Sequence, residues 1–271
     1  MTATLVLRVA APLQSWGVRS ELGMRDSLPH PTKSGVIGLI AAAMGRDRSD
    51  NIDDLAACTM HVRIDRPGVI VTDWQTAGGG SVPLTAALLT QFTPAKQKAL
   101  TAGWTEGLGG TGQYVDNGVV EDSGHARNTL GSTVTMRPQI LMDAAFLVTL
   151  TFADVSLARH ARAALLAPQR LIWLGRKAFP PTDPLVLGDD VLMDVDPLTV
   201  LSSTPCVEER PGEARTTVEA VLECGAHDVD GNSGVRALND QPISFDRDLT
   251  DRYNRRFVRS VRIDLPLKGM S

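Results

Sequence analysis

Residues 31–45 constrain the fold most, because they carry the pattern of a buried helix. Thr32 or Ser34 can accept a hydrogen bond from a first-turn amide, so either is a candidate N-cap. Apolar residues then recur at helical spacing on one face, and Gly45 stands where a left-handed C-cap is expected. Lys33 lies at the amide-donating end of this helix, an arrangement suited to binding a phosphate. The alternative is a core helix whose first-turn lysine is merely solvated.

Strand and helix patterns alternate around this segment. Strands are predicted at residues 4–10, 60–66, 144–152 and 171–174, and helices at 32–45, 52–57 and 157–167, the last capped by Ser156. Apart from the short 52–57 helix, the order is βαββαβ. This order predicts an α+β, ferredoxin-like sandwich of the RNA-recognition-motif kind over residues 1–184.

A long glycine-rich segment, residues about 73–135, interrupts this pattern between the second and third strands. Only residues 83–91 and 94–102 look helical within it. Such a segment inside a compact domain is typical of a functional insertion or of disorder. We expect a protruding arm that is ordered mainly when bound.

Residues 185–271 are predicted to form a second, β-rich module, with strands at 216–222 and 257–263. Its end is the most basic part of the chain. The arginines concerned are Arg252, Arg255, Arg256, Arg259 and Arg262. They form either a solvated, salt-bridged face or a phosphate-facing patch.

Composition narrows the classes of function. A net charge of −4 and a pI near 5.7 argue against a uniformly basic nucleic-acid coat, although a local basic groove remains open. The three cysteines lie far apart, which suits a reducing compartment. No stretch approaches the roughly 20 apolar residues of a membrane helix. We expect a cytoplasmic protein without a membrane contact.

Signatures of catalysis are sparse. The five histidines and three cysteines show no zinc-ligand spacing, so neither a metal nor a cofactor is expected. The chain has no nucleophile elbow and no phosphate-binding loop of the Walker type. His125 could act as a general base in RNA cleavage, with Lys33 or Arg137 stabilising the phosphorane. His61 is expected to be a surface or hydrogen-bonded histidine.

Several segments together resemble the CasD family of subunits of the type I-E CRISPR Cascade complex, in the RAMP superfamily. They are LVLRV (5–9), PLQSWG (12–17), PTKSGVIGL (31–39), VRIDRPG (62–68), DWQT (73–76), DAAFLV (143–148) and LGRK (174–177). The resemblance covers most of residues 4–180. This sequence departs from the family pattern at two points. The insertion after Thr76 is longer than expected for the family, and the aromatic residue that usually precedes LGR is a tryptophan here, Trp173.

The resemblance implies a ferredoxin-like domain with a thumb-like hairpin between its second and third strands. It further implies a subunit that caps the 5′ end of Cascade and holds the 5′ handle of the CRISPR RNA (crRNA) for antiviral defence. Because a separate subunit cleaves the precursor RNA in these systems, the chain is expected to bind RNA without being an enzyme. The implied partners are a CasC-type backbone subunit, a CasA-type large subunit and, through the assembled complex, target DNA.

On this reading, cationic side chains would contact phosphates, aromatic rings would stack on splayed bases and amides would bind base edges. The expected RNA-binding residues are Gln14, Trp16, Arg19, Arg25, Lys33, Ser34, Gln75, Arg137, Trp173, Arg176 and Lys177. For Trp16 and Trp173 the alternative is core packing. Two other functions remain open: a metal-independent endoribonuclease that processes precursor crRNA, as in type I-C relatives, and an interaction module with no RNA contact.

Overall fold

The computed structural model divides into two compact units. The first comprises Met1–Glu21, Arg25–Thr72 and Gln139–Ser271, and the second comprises Leu22–Met24 and Asp73–Pro138. The structure describes residues 1–17, 20–21, 24–47, 49–77, 82–83, 94, 114–115, 134–207, 216–224, 236–241 and 256–267.

The described elements are mostly strands. They are β1 (Ala3–Gln14), β2 (Ser20–Glu21), β3 (Met24–Arg25), β4 (Thr59–Arg66), β5 (Val69–Thr72), β6 (Gln75–Ala77), β7 (Val82–Pro83), β8 (Tyr114–Val115), β9 (Val134–Phe152), β10 (Leu192–Met193), β11 (Thr217–Cys224), β12 (Arg236–Gln241) and β13 (Arg256–Pro266). The helices are α1 (Lys33–Ala43), α2 (Asp53–Ala56), α3 (Val155–Leu166) and α4 (Pro197–Ser203).

The first unit is built on an antiparallel sheet in the order β10-β1-β9-β4-β11-β13-β12. One face of this sheet packs against α1 and α3. Leu5, Phe146 and Leu150 of the sheet share this core with Ile37 and Ile40 of α1. Their burial supplies the main apolar contribution to folding on this side. The α+β class is confirmed.

The opposite face of the sheet is also covered. Val6 and Leu147 of the sheet pack with Val200 and Leu201 of α4 in a second apolar cluster. The sequence predicts β4 to be half-buried, with apolar side chains at positions 60, 62 and 64 and polar ones between. That alternation is present, yet the polar side is buried as well, since Arg63 and Asp65 lie beneath the α4 region.

The first predicted strand, the helix after it and the second predicted strand are present as β1, α1 and β4. Thr32 is the N-cap of α1. Gly45 has a φ of 77°, the left-handed conformation expected after this helix. The helix predicted at 157–167 begins two residues earlier, at Val155, because Asp154 rather than Ser156 accepts the first-turn amide bond.

The strand predicted at residues 171–174 is wrong. Leu171 is 81% exposed, and no strand pairing involves these residues. The backbone of Leu174 instead bonds to two loops: its amide donates to the Phe179 carbonyl (2.7 Å) and its carbonyl accepts from the Ser15 amide (3.0 Å). A turn therefore replaces the predicted strand, and β10 occupies the sheet edge beside β1.

The sheet continues from one predicted domain into the other, since β11 pairs with β4 (Val221 opposite Val62). The predicted boundary at residue 184 therefore does not separate two sheets, and the division into 1–184 and 185–271 stays a prediction. In the second unit, β7 pairs with β8. The helices predicted within 83–102 fall almost entirely outside the described residues.

No helix among the described residues combines the length and the apolar character that a membrane span requires.

Candidate nucleic-acid interface

Lys33 lies in the first turn of α1 but its side chain is buried. The residue is 2% exposed, and its ammonium donates to Oε1 of Glu223 at 2.8 Å. A buried ammonium held by a carboxylate does not present its charge to a phosphate at the surface. This burial disfavours the phosphate contact of Lys33, which stays a prediction. The alternative of a solvated lysine is wrong, because this side chain joins α1 to β11.

Glu223 also organises the start of β4. Its Oε2 accepts the Met60 amide at 2.7 Å, and its own amide donates to Nδ1 of His61 at 3.1 Å. Because Nδ1 is the acceptor, the neutral ring carries its proton on Nε2. Burial lowers the pKa of His61 and raises that of the nearby Cys58 thiol to about 12. Of the two predicted kinds of histidine, His61 is thus the hydrogen-bonded one.

Arg63 and Asp65 form a second buried ion pair, on the side of β4 that faces α4. Nε of Arg63 donates to Oδ1 of Asp65 at 2.6 Å. The same guanidinium donates to the carbonyls of Leu201, Thr204 (2.6 Å) and Pro205 (3.2 Å). It therefore satisfies carbonyls that the C-terminal end of α4 leaves without helical partners. This cation holds the fold together and is not part of an interface.

Gln14 and Trp16 are core residues. Nε1 of Trp16 donates to Oε1 of Gln14 at 3.0 Å, and Nε2 of Gln14 donates to the Ala144 carbonyl at 2.7 Å. Trp16 is 1% exposed and lies against Gly35, where an added Cβ would stand 2.9 Å from the ring. Neither side chain can reach a base without leaving the core. The structure therefore favours core packing for both Trp16 and Gln14, and their base contacts stay predictions.

Residues 173–177 form a turn at the surface of the first unit, which we call the basic turn. Leu174 is its buried anchor, held by the Ser15 and Phe179 backbones. Gly175 has a φ of 94°, and a Cβ there would overlap the Ser15 carbonyl oxygen. Only glycine combines this dihedral with so close an approach. The turn is therefore fixed in shape by its anchor and its glycine.

The basic turn brings three predicted site residues together. Nζ of Lys177 lies 5.8 Å from the centre of the half-buried Trp173 ring, and Lys177 itself is exposed. The guanidinium of Arg176 lies 5.7 Å from the centre of the Phe179 ring. The Phe179 ring is buried. An exposed cation beside a partly exposed ring, as in Lys177 and Trp173, is an arrangement that single-stranded nucleic-acid sites commonly use.

In the second unit, Arg137 stacks on Trp74. Its guanidinium carbon lies 4.1 Å from the ring centre, and both residues are exposed. We call these two residues the Trp74–Arg137 pair. Gln75 points elsewhere, because neighbouring side chains of an extended segment alternate between faces, and its amide donates to Asp73. The structure thus does not bring the predicted residues Gln75 and Arg137 onto one face.

A family model described as CRISPR-associated protein (Cas_Cas5) matches residues 4–259. The chain belongs to the Cas5 family. The resemblance predicted from the sequence is thereby confirmed. Among curated proteins, the CRISPR system Cascade subunit CasD of Escherichia coli (strain K12) is 42% identical over 50 residues. Those residues are 18% of this chain and 22% of CasD, so the alignment spans about a fifth of that relative.

Two solved structures are similar to this Cas5-family chain along nearly all of its length. A chain of a CRISPR RNA-guided surveillance complex has a TM-score of 0.65 and 29% identity, and the match covers 97% of this chain and 90% of that one. A structure described as the crystal structure of a Cas protein has a TM-score of 0.60 and 29% identity, with coverage of 97% and 95%.

The remaining predicted residues of this Cas5-family chain are scattered. Arg25 is exposed at the end of β3, and Ser34 is half-buried in the first turn of α1. Arg262 pairs with Glu219 at 2.6 Å, as expected for a salt-bridged face. Among the described residues, no group of three His, Cys, Asp or Glu side chains is arranged to hold a metal ion. Arg19, His125, Arg252 and Arg255 lie outside the described residues, and the side chains of Arg256 and Arg259 are not described.

Sequence reasoning missed Trp74 as a candidate RNA contact. The residue stands in the DWQT segment, from which only Gln75 was chosen. The signal that could have identified it lies two residues away on either side, where Thr72 and Thr76 share the same face of an extended segment. With polar residues at those positions, that face has no apolar stripe to bury the ring.

Proposed function

We propose that this chain is a non-catalytic RNA-binding subunit of a type I-E Cascade complex, where it caps the 5′ end and holds the crRNA 5′ handle. The observation that carries the proposal is the match over 97% of the chain to a subunit of a CRISPR RNA-guided surveillance complex, at 29% identity. The Cas5 family model over residues 4–259 supports the same assignment.

Two clusters would contact the RNA in this proposal. The basic turn offers the exposed Lys177 to a phosphate and the half-buried Trp173 to a base. Arg176, half-buried against the buried Phe179 ring, would add its positive charge nearby. The Trp74–Arg137 pair offers an exposed ring and a guanidinium. Both clusters combine a cation with an aromatic ring. Such a combination binds single-stranded nucleic acid with little dependence on its base sequence. The acidic net charge of −4 is compatible with such local sites.

We also infer that the core of the first unit is ferredoxin-like. Its six elements would be β1, α1, β4, β9, α3 and β10. The order β10-β1-β9-β4 places the last strand beside the first and the third between the first and second, as a split βαβ arrangement requires. On this view the fourth strand is β10, and the segment 73–135 is the thumb inserted between the second and third strands.

The assembled particle supplies the other contacts. We propose the crRNA 5′ handle, a CasC-type backbone subunit and a CasA-type large subunit as direct partners, and target DNA as a partner of the whole complex. The proposed compartment is the cytoplasm. His61 is half-buried and its Nδ1 accepts the Glu223 amide, so this ring nitrogen is not available as a general base.

Incubating the purified chain with repeat-derived RNA in EDTA tests the proposal. The expected result is an RNA complex whose RNA stays intact and whose affinity falls on Lys177→Ala. The matched control is Arg159→Gln, which removes an exposed cation paired with Asp190 (3.0 Å) and should leave RNA binding unchanged. Handle-sized cleavage products would make the chain a nuclease, and no measurable RNA binding at low salt would contradict the proposal altogether.

A further inference from the structure

We propose that the Trp74–Arg137 pair is a stacking site for one unpaired nucleobase, with Arg137 also contacting the adjoining phosphate. This inference rests on the proposed RNA-binding function and gives it a residue-level site within the second unit. Trp74 is not among the residues that the sequence predicts to bind RNA, so the assignment comes from the geometry of the pair.

The pairing of β6 with β9 places the two side chains opposite each other. Gln75 is aligned with Met136, and the Asp73 amide donates to the Pro138 carbonyl at 2.8 Å. Trp74 and Arg137 therefore form the intervening pair without backbone hydrogen bonds, where opposed side chains come closest. The 4.1 Å separation between guanidinium and ring follows from this register.

The ring remains largely open to solvent. Trp74 is 63% exposed although the guanidinium of Arg137 covers one of its faces. The opposite face is thus available to a second flat group. A guanidinium already stacked on a ring loses less side-chain freedom when its N–H groups meet a phosphate. One residue pair can therefore hold both a base and its phosphate.

The charge around the pair suits an anionic strand. Asp73 and Gln75 lie one residue either side of Trp74 and so project to the other face of the extended segment. This leaves the aromatic and cationic groups on one face and the carboxylate on the other. Thr72, two residues before Trp74 and so on the same side of the extended segment, is polar and exposed, whereas an aromatic anchor of a protein–protein interface is surrounded by contacts that exclude water. Nucleic acid is therefore favoured over a protein partner.

Equilibrium binding of the full-length chain to oligoadenylate RNA, compared with an abasic strand of equal length and charge, tests the inference. Stacking on one base predicts that wild type binds oligoadenylate roughly 5- to 150-fold more tightly than Trp74→Ala does. On the abasic strand the two proteins should bind equally. Trp74→Phe, which keeps a flat ring, should retain most of the affinity. Arg137→Gln should reduce the slope of log K against log salt by about 0.7, the value for one phosphate contact on a single strand.

Leu166→Ala and Arg159→Gln are the matched controls, since each changes an exposed residue on α3, which is part of the first unit. If Trp74→Ala binds oligoadenylate as wild type does, or weakens both strands equally, the stacking site is refuted while RNA binding itself stands. If Trp74→Ala instead releases other Cas subunits and leaves RNA affinity unchanged, the pair is a protein contact and the inference fails. If wild type binds neither strand at low salt, the proposed function fails with it.

Discussion

Replacing Glu223 by Gln is expected to destabilise the protein by about 3 kcal/mol. The change keeps the shape of the side chain and an oxygen for the Met60 amide, but it removes the charge that Lys33 faces at 2.8 Å. Breaking a buried ion pair costs about 3–5 kcal/mol. The lower end applies because the Glu223 side chain is 19% exposed and its charge is partly screened.

Urea unfolding followed by circular dichroism measures this loss. With an m value of about 3 kcal/mol/M, the midpoint should fall by about 1 M. Adding Lys33→Met to Glu223→Gln should recover much of the stability, since neither buried charge then remains. Asp190→Asn is the control: it breaks the exposed pair with Arg159 and should leave the urea midpoint nearly unchanged.

An unchanged midpoint for Glu223→Gln would refute the reasoning that Lys33 is held in the core by this carboxylate. The same reasoning predicts that Lys33→Met, studied where it is folded, binds RNA as wild type does. A selective loss of RNA affinity in folded Lys33→Met would restore the phosphate contact predicted from the sequence.

Three further predictions follow from the fold. Arg63→Lys should lower the free energy of unfolding by about 3 kcal/mol, because an ammonium cannot reproduce the guanidinium fork that binds a carboxylate and three carbonyls; equal urea midpoints would contradict this. His61→Asn should flatten the stability profile below pH 6.5: burial lowers the folded pKa of His61, so the unfolded chain binds more protons there and wild-type stability decreases as the pH falls. An equally steep profile in His61→Asn would contradict this. Gly35→Ala should lower the melting temperature, because the added Cβ would stand 2.8 Å from the hydroxyl oxygen of the N-cap Thr32. Gly38→Ala, whose Cβ would meet nothing within 4 Å, should raise the melting temperature by the equivalent of about 1 kcal/mol. The reverse order of melting temperatures would contradict the packing described for α1.

Local patterns predicted much of the first unit. The cap, apolar spacing and terminal glycine of α1 act within a few residues of one another, so the sequence is sufficient to identify that helix. The apolar run at 144–152 likewise identified the C-terminal half of β9. In both segments the local preference and the tertiary packing agree, which is why these predictions hold.

The differences between the sequence interpretation and the structure involve partners that are distant in sequence. Lys33 looked like a phosphate ligand because its partner, Glu223, lies 190 residues later. The apolar residues at 171–174 looked like a strand, but the backbone bonds of Leu174 to Ser15 and Phe179 make a turn there. No local rule predicts either result, because each depends on which loop or strand the completed fold brings alongside.

Trp74 illustrates the same limit for the candidate interface. Its significance depends on the register of β6 with β9, which aligns it with a residue 63 positions later. Sequence alone identified Arg137, Trp173, Arg176 and Lys177 as candidates by their chemistry. Only the antiparallel register shows that Arg137 stacks on a ring, and only the turn geometry shows that the other three lie together.

Crosslinking mass spectrometry on the complex assembled with its crRNA tests the central claim most directly. The account predicts that nucleotides of the 5′ handle crosslink to Trp74 or Arg137 and to the basic turn, on RNA that this chain leaves intact. Handle crosslinks found solely on other subunits, with those two clusters unmodified, would contradict it.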